Sequence, residues 1–211
     1  RMGGDLPKQF IPMRGKPLLM HTLEAFHRWD ASARIILVLP EDHQPYWNML
    51  CKEIGCKVPH AIVKGGDTRF FSVKNGLDWL LAERRRKGLV AVHDGVRPFV
   101  SPEVVEACFD KAAVTGAVIP VVPMIDSLRE TDEKGSHPVD RSRYMAVQTP
   151  QVFLLELLTK AYEQPYSSLF TDDASVVEAM GHAIDTVPGD RENIKITTPF
   201  DLLIAEAMFA R

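Results

Sequence analysis

Short apolar runs rich in β-branched residues recur along the chain, at 34–39 (RIILVL), 89–92 (LVAV) and 116–122 (GAVIPVV). Each is bounded by Pro, Gly or Asp, as strands buried in a parallel sheet tend to be. Between them the apolar spacing becomes helical. After Pro17, Leu19, Leu23 and Phe26 fall on one face, and Val73, Leu77 and Leu80 do the same further on. Ser101-Pro102 supplies an N-cap followed by proline at the first helical position, and Thr198-Pro199 repeats the device before DLLIAEAMFA. Strands alternating with helices predict an α/β sandwich with a mostly parallel sheet.

The alternation fails between about residues 124 and 145, where the chain is polar, charged and turn-rich with no helical stripe. A long irregular segment in a compact domain is functional, disordered or an interaction arm. The expectation is a projecting β-arm with Glu133-Lys134-Gly135-Ser136 near its tip, where glycine suits a tight turn. With 211 residues, 45% of them hydrophobic, one domain over 1–211 is expected. The opening residues RMGGDLPKQF read as a loop entered from something upstream, so the true beginning of the protein is expected to precede Arg1.

A formal net charge of -3 argues against a general nucleic-acid or anionic-membrane surface, so phosphate chemistry has to be local. No run approaches the ~18 apolar residues of a membrane span, and no signal peptide is seen. Cys51, Cys56 and Cys108 form no C-x-x-C and no even-numbered framework, which suits a reducing, cytoplasmic compartment.

Four constellations carry candidate chemistry. Arg1 and Lys8, in a glycine-containing loop, suit a polyphosphate, the one as a planar fork and the other as a point charge; a solvated loop is the alternative. Gly65-Gly66-Asp67-Thr68-Arg69 with Ser72 places backbone amides near a helix N-terminus, where Asp67 or Ser72 could serve as a simple cap. His93-Asp94-Gly95-Val96-Arg97-Pro98 follows a strand directly, where ligands of open α/β sheets gather; a turn closed by an Asp94–Arg97 pair explains it too. In Arg191-Glu192-Asn193-Ile194-Lys195, before the final helix, alternation with Ile194 and Ile196 turns Lys195 away from the two isoleucines, towards a ligand or simply towards solvent. Asp172-Asp173 reads first as a helix N-terminus and only second as a metal pair.

In order, R-M-G-x-x-x-P-K-Q, G-G-D-x-R-x-x-S, V-H-D-x-x-R-P, Q-T-P-Q and N-I-K-x-T-x-P-x-D-L resemble the 2-C-methyl-D-erythritol 4-phosphate cytidylyltransferases, from Arg1 to Leu202. The resemblance implies a Rossmann-like nucleotidyltransferase core, CTP and a polyol phosphate as substrates, and a homodimer interlocked through the β-arm. It also implies a first strand and glycine-rich loop ahead of Arg1. By motif, Arg1 and Lys8 match the cations that stabilise the transition state at the α-phosphorus. Gly66, Asp67 and Ser72 match the cytosine-contacting segment, with Arg69 inside the same motif. Asp94 and Arg97 match residues near the ribose and the polyol hydroxyls. On the arm, Ser127 stands where the family usually has threonine, and Arg141 matches the arginine that positions the substrate phosphate across the dimer. Thr149 falls in the same pocket, and Lys195 matches the lysine that holds that phosphate for attack.

Such a transfer needs no general base, because a phosphate monoester is already an anion at neutral pH. Placed cations and a divalent metal, expected to be Mg2+, carry the electrostatic work, and the sequence does not define the metal's ligands. Three rivals stand: transfer to another polyol phosphate such as ribitol 5-phosphate, a glycosyltransferase, for which His93-Asp94-Gly95 lacks the second acid of D-x-D, and a non-catalytic nucleotide-binding module.

Overall fold

The structure, a computed structural model, describes residues 6–210. A turn of 3-10 helix at Lys8–Phe10 leads to a small hairpin, β1 (Pro12–Met13) and β2 (Lys16–Pro17), and helix α1 (Leu18–Trp29). Then come β3 (Ile35–Leu39), α2 (Gln44–Ile54), β4 (His60–Lys64), α3 (Arg69–Ala82), β5 (Leu89–Val92), α4 (Pro102–Thr115) and β6 (Ala117–Pro123). An excursion, β7 (Leu128–Asp132) and β8 (Gly135–Val139), precedes β9 (Met145–Val147), β10 (Gln151–Leu154), α5 (Leu155–Ala161), α6 (Asp173–Glu178), β11 (Asp185–Pro188) and α7 (Pro199–Met208).

The main sheet has the order β11–β6–β10–β5. Strands β5, β6 and β11 share one direction and β10 lies antiparallel between β5 and β6, while β3 and β4 form a separate parallel pair. Pleating turns Val118 and Val152 towards α4, where they pack with Val104, Cys108 and Ala112. Their neighbours Ala117 and Phe153 face the other way, into a cluster with Phe70, Leu158, Tyr162 and Val177. Helices thus cover both faces, as the α/β patterning predicts. The four predicted helices form, and the predicted caps hold two of them: Ser101 accepts from the Val104 amide at 3.3 Å and Thr198 from that of Asp201 at 3.2 Å.

An apolar cleft of about 1230 Å3 separates β3 from β5, lined by residues of α1 and α3 as well as the two strands. Among the described residues β3 pairs only with β4, and β5 only with β10, so the two edges facing this cleft carry no ladder. This is why the apolar strand β5 is only half-buried along its whole length.

The arm is a hairpin turning at Glu133-Lys134, with Asp132 opposite Gly135. Gly135 has φ 133°, a conformation that disfavours any side chain. Almost all of β7 and β8 is exposed. A lone two-stranded hairpin is at best marginally stable in water, so this one lacks the packing surface such elements need.

Candidate active site

The candidate site is assembled from the segments that follow the carboxyl ends of β4, β5 and β11, the edge where open α/β sheets collect ligands. After β5, Asp94 stands at the centre. Its Oδ2 accepts from Arg97 Nε at 3.0 Å and lies 3.1 Å from Lys195 Nζ. Burial alone would raise this carboxyl, but Lys195 and then Arg97 outweigh it and hold it below the ordinary Asp range. Lys195 is delivered by an extended segment whose Ile194 and Ile196 point into the core, as their alternation predicts, and whose Ile196 amide donates to the Val96 carbonyl at 3.0 Å. Lys8 joins the same segment, donating to the Thr197 carbonyl at 2.8 Å. Lys195 and Arg97 therefore share one carboxylate, and Lys8 is tied to the segment that carries Lys195.

Beneath them lies a buried scaffold that sequence reasoning missed. Asn193, fully buried, donates from Nδ2 to the Thr149 carbonyl at 2.8 Å, while its own carbonyl accepts from Arg97 at 2.7 Å. Gln148 clamps the Asp190 backbone, accepting its amide at 3.1 Å and donating to its carbonyl at 2.7 Å. The available signal was an Asn and a Gln in polar stretches each abutting an apolar strand, which by itself names no partner.

Thr149 is brought to Asp94 by a slip in the ladder. Val121 opposes Val147 but Val118 opposes Val152, so two residues of β6 face four of the β9–β10 segment. The extra residues bulge out towards the β5 loop. There the Thr149 hydroxyl accepts the Asp94 amide at 3.1 Å and lies 3.0 Å from His93 Nδ1. His93 Nε2 is 3.0 Å from the Arg97 carbonyl, which can only accept, so the proton sits on Nε2 and Nδ1 accepts from the threonine.

Burial pushes His93 down to about 4 from 6.5, and the ring is neutral at physiological pH. Between those two values the unfolded chain takes up a proton here that the folded chain refuses, so stability falls as pH falls through this window. A shift of this size corresponds to about 3 kcal/mol lost between pH 6.5 and 4. Denaturant titrations at pH 7 and 4.5 should show the loss, and His93→Gln should remove most of the slope.

After β4, Ser72 Oγ accepts the Gly66 amide at 3.1 Å and donates to the Thr68 carbonyl at 2.9 Å, closing the loop over the start of α3. A side chain at Gly66 would collide with Phe71, so only glycine fits. The helix cap is Thr68, which accepts from the Phe71 amide at 3.4 Å, in place of the expected Asp67 or Ser72; Asp67 is left exposed and Ser72 holds the loop instead. Arg69 pairs with the fully buried carboxylate of Asp173. Asp172 caps α6 through the Ser175 amide at 2.9 Å, so the acidic pair is a helix N-terminus, as first read.

The remaining predicted residues stay apart from this cluster. Arg141 donates to the Ile125 carbonyl at the root of the arm, and Ser127 is exposed beside it. Arg1 lies outside the described residues. Among those described, no group of three or more His, Cys, Asp or Glu side chains could hold a metal by itself.

An α/β sheet with a glycine loop, a carboxylate and cations at its strand ends defines a nucleotide or phosphate binder of the Rossmann-like class. Comparison with known proteins narrows the class. The family model described as 2-C-methyl-D-erythritol 4-phosphate cytidylyltransferase matches residues 1–211, and the chain belongs to that family. It is 57% identical over 208 residues to the protein of that name from Bacteroides fragilis, covering 99% of this chain and 93% of the relative. The Bacillus licheniformis protein of the same name is 40% identical, covering 99% and 90%. Among solved structures, a 4-diphosphocytidyl-2C-methyl-D-erythritol synthase from Anaerococcus prevotii superposes with TM-score 0.84 at 28% identity, covering 100% and 93%. The Thermus thermophilus cytidylyltransferase gives 0.77 at 33% identity, covering 97% and 94%.

Proposed function

We propose that this protein transfers the cytidylyl group of CTP to the phosphate of 2-C-methyl-D-erythritol 4-phosphate, giving 4-diphosphocytidyl-2-C-methyl-D-erythritol and pyrophosphate. The observation that carries the reading is the cluster of Lys8, Lys195, Arg97 and Asp94, beside a histidine engaged at both ring nitrogens. That is a site with fixed cations and, at His93, a ring with neither nitrogen free to act as a base. A phosphate oxygen of the acceptor attacks the α-phosphorus, the bond to the bridging oxygen breaks, and pyrophosphate leaves with its electron pair. Lys195 is suited to hold the incoming phosphate and Lys8 the charge growing on the non-bridging oxygens. The loop closed by Ser72 offers backbone groups around Gly66 to the cytosine.

The test is direct. Offered CTP with the methylerythritol phosphate or with ribitol 5-phosphate, the protein should release pyrophosphate at a far higher kcat/KM with the former. Preference for ribitol 5-phosphate would reassign the acceptor, and CTP bound but never consumed would leave a binding module.

The donor set suits a metal that arrives on the triphosphate, since Mg2+ keeps several waters and needs one or two protein carboxylates. Asp94 is the carboxylate at hand, its Oδ1 taking no part in the contacts to Arg97 and Lys195. When bound, the ion would neutralise phosphate charge.

A homodimer formed through the arm completes this reading. Ile125, 62% exposed, and the exposed Tyr144, Met145 and Val147 make an apolar patch at the arm's root, and Arg141 there makes no bond to its own chain's cluster among the described residues. If Ser127 and Arg141 serve the neighbour's pocket, mixing two inactive variants, Arg141→Ala and Lys195→Ala, should restore roughly a quarter of the wild-type sites by random exchange. No recovery after verified exchange would keep each pocket within one chain. The unpaired edges of β3 and β5 suit one further strand, the element that the resemblance sets ahead of Arg1. Three free thiols suit a cytoplasmic location.

A further inference from the structure

We infer that His93 is a positioning residue for the transfer, acting through the Thr149 hydroxyl to hold Asp94 and, with it, Lys195 and Arg97. Its hydrogen bonds run in one direction. The Asp94 amide donates to Thr149, Thr149 donates to His93 Nδ1, and His93 Nε2–H donates to the Arg97 carbonyl. The ring therefore bridges both ends of the Asp94–Arg97 turn and ties them to the bulge that carries Thr149.

Phe26 packs edge-on against the imidazole with ring centroids 4.8 Å apart, which fixes its plane. Thr149 is only 7% exposed and its proton is already given to His93, so it is better placed to order Asp94 than to donate to a ligand. Asp94 in turn is the one carboxylate shared by Lys195 and Arg97. A rotation of the turn would move both cations relative to Lys8, which is anchored separately on Thr197.

The inference rests on the cytidylyl-transfer reading, and its test separates the two. Two substitutions divide the ring's roles. Gln at 93 can keep the donor to the Arg97 carbonyl but offers Thr149 no acceptor at the Nδ1 position. Asn can keep that acceptor and gives up the donor to Arg97. His93→Gln should lower kcat/KM for the polyol phosphate about 10-fold, the scale of one lost positioning hydrogen bond, and Thr149→Val should do the same. The double variant should lose little more than either, because both lesions cut one chain, and His93→Asn should lose less than His93→Gln.

Melting temperatures measured alongside exclude loss of folded protein as the cause. Multiplicative losses in the double variant, wild-type kcat/KM in both singles, or an Asn variant worse than Gln would overturn the positioning role. A wild-type protein that consumes no CTP would instead sink the transfer reading.

Discussion

Lys8→Ala should lower the turnover number by about 100- to 1,000-fold, the usual cost of removing one preorganised group that meets charge developing in the transition state. The structure explains why so much can rest on a lysine. Its ammonium is fixed by the Thr197 carbonyl, 2.8 Å away, two residues beyond Lys195. Both amines are thereby referred to a single segment anchored by the buried Ile196. Because a preorganised charge needs no rearrangement as the reaction proceeds, its effect appears in kcat more than in KM. Lys8→Arg should recover only part of the rate, since a planar fork cannot reproduce a compact point charge on the same carbonyl. Pyrophosphate release under saturating CTP and acceptor measures the effect. An unchanged turnover number for Lys8→Ala would remove this residue from the chemistry.

What could be read from the chain follows from where each signal is stored. Helices α1, α3, α4 and α7 carry their apolar stripes and, in two cases, a Ser/Thr-Pro start within a dozen residues, so local physics suffices. Strands β10 and β11 escaped because their short runs owe their pairing to strands 30 or more residues back along the chain. Strand β10 is the clearest case: QVFL becomes an antiparallel strand by pairing with β5 and β6 on either side.

The site divides in the same way. Asp94, Arg97 and Lys195 were legible, since charged residues directly after or before apolar extended segments fall at a sheet's edge. The partners of Asn193, His93 and Gln148 were not, because their bonds span 42 to 56 residues, and nothing in a single sequence pairs them. Arg69 is the instructive departure. Its motif pointed towards the nucleotide, yet its guanidinium meets a carboxylate 104 residues away.

That pairing sets the largest stability effect expected of a substitution. Asp173 is fully buried, and besides Arg69 its carboxylate accepts from the Tyr162 hydroxyl at 2.5 Å. Burial and the neighbouring carboxylate push the Tyr162 phenol up, so it remains a donor at any physiological pH. Gln151 completes the arrangement, accepting the amides of Asp173 and Ala174 at 3.1 and 3.0 Å and donating to Asp172 at 2.8 Å.

Removing a partner from a buried ion pair costs about 3–5 kcal/mol, because the charge left behind stays out of water. Arg69 is partly exposed and solvent screens its end, so the lower figure, about 3 kcal/mol, is the expectation for Arg69→Ala. In a chain of this length that corresponds to a fall of roughly 10 °C in Tm. Replacing the carboxylate as well distinguishes the cause: Arg69→Ala with Asp173→Asn should recover part of the loss, since a neutral amide is cheaper to leave buried than an unpaired carboxylate. A double variant less stable than Arg69→Ala alone would mean that the arginine contributes by packing over the Phe70–Tyr162 cluster and not by neutralising Asp173.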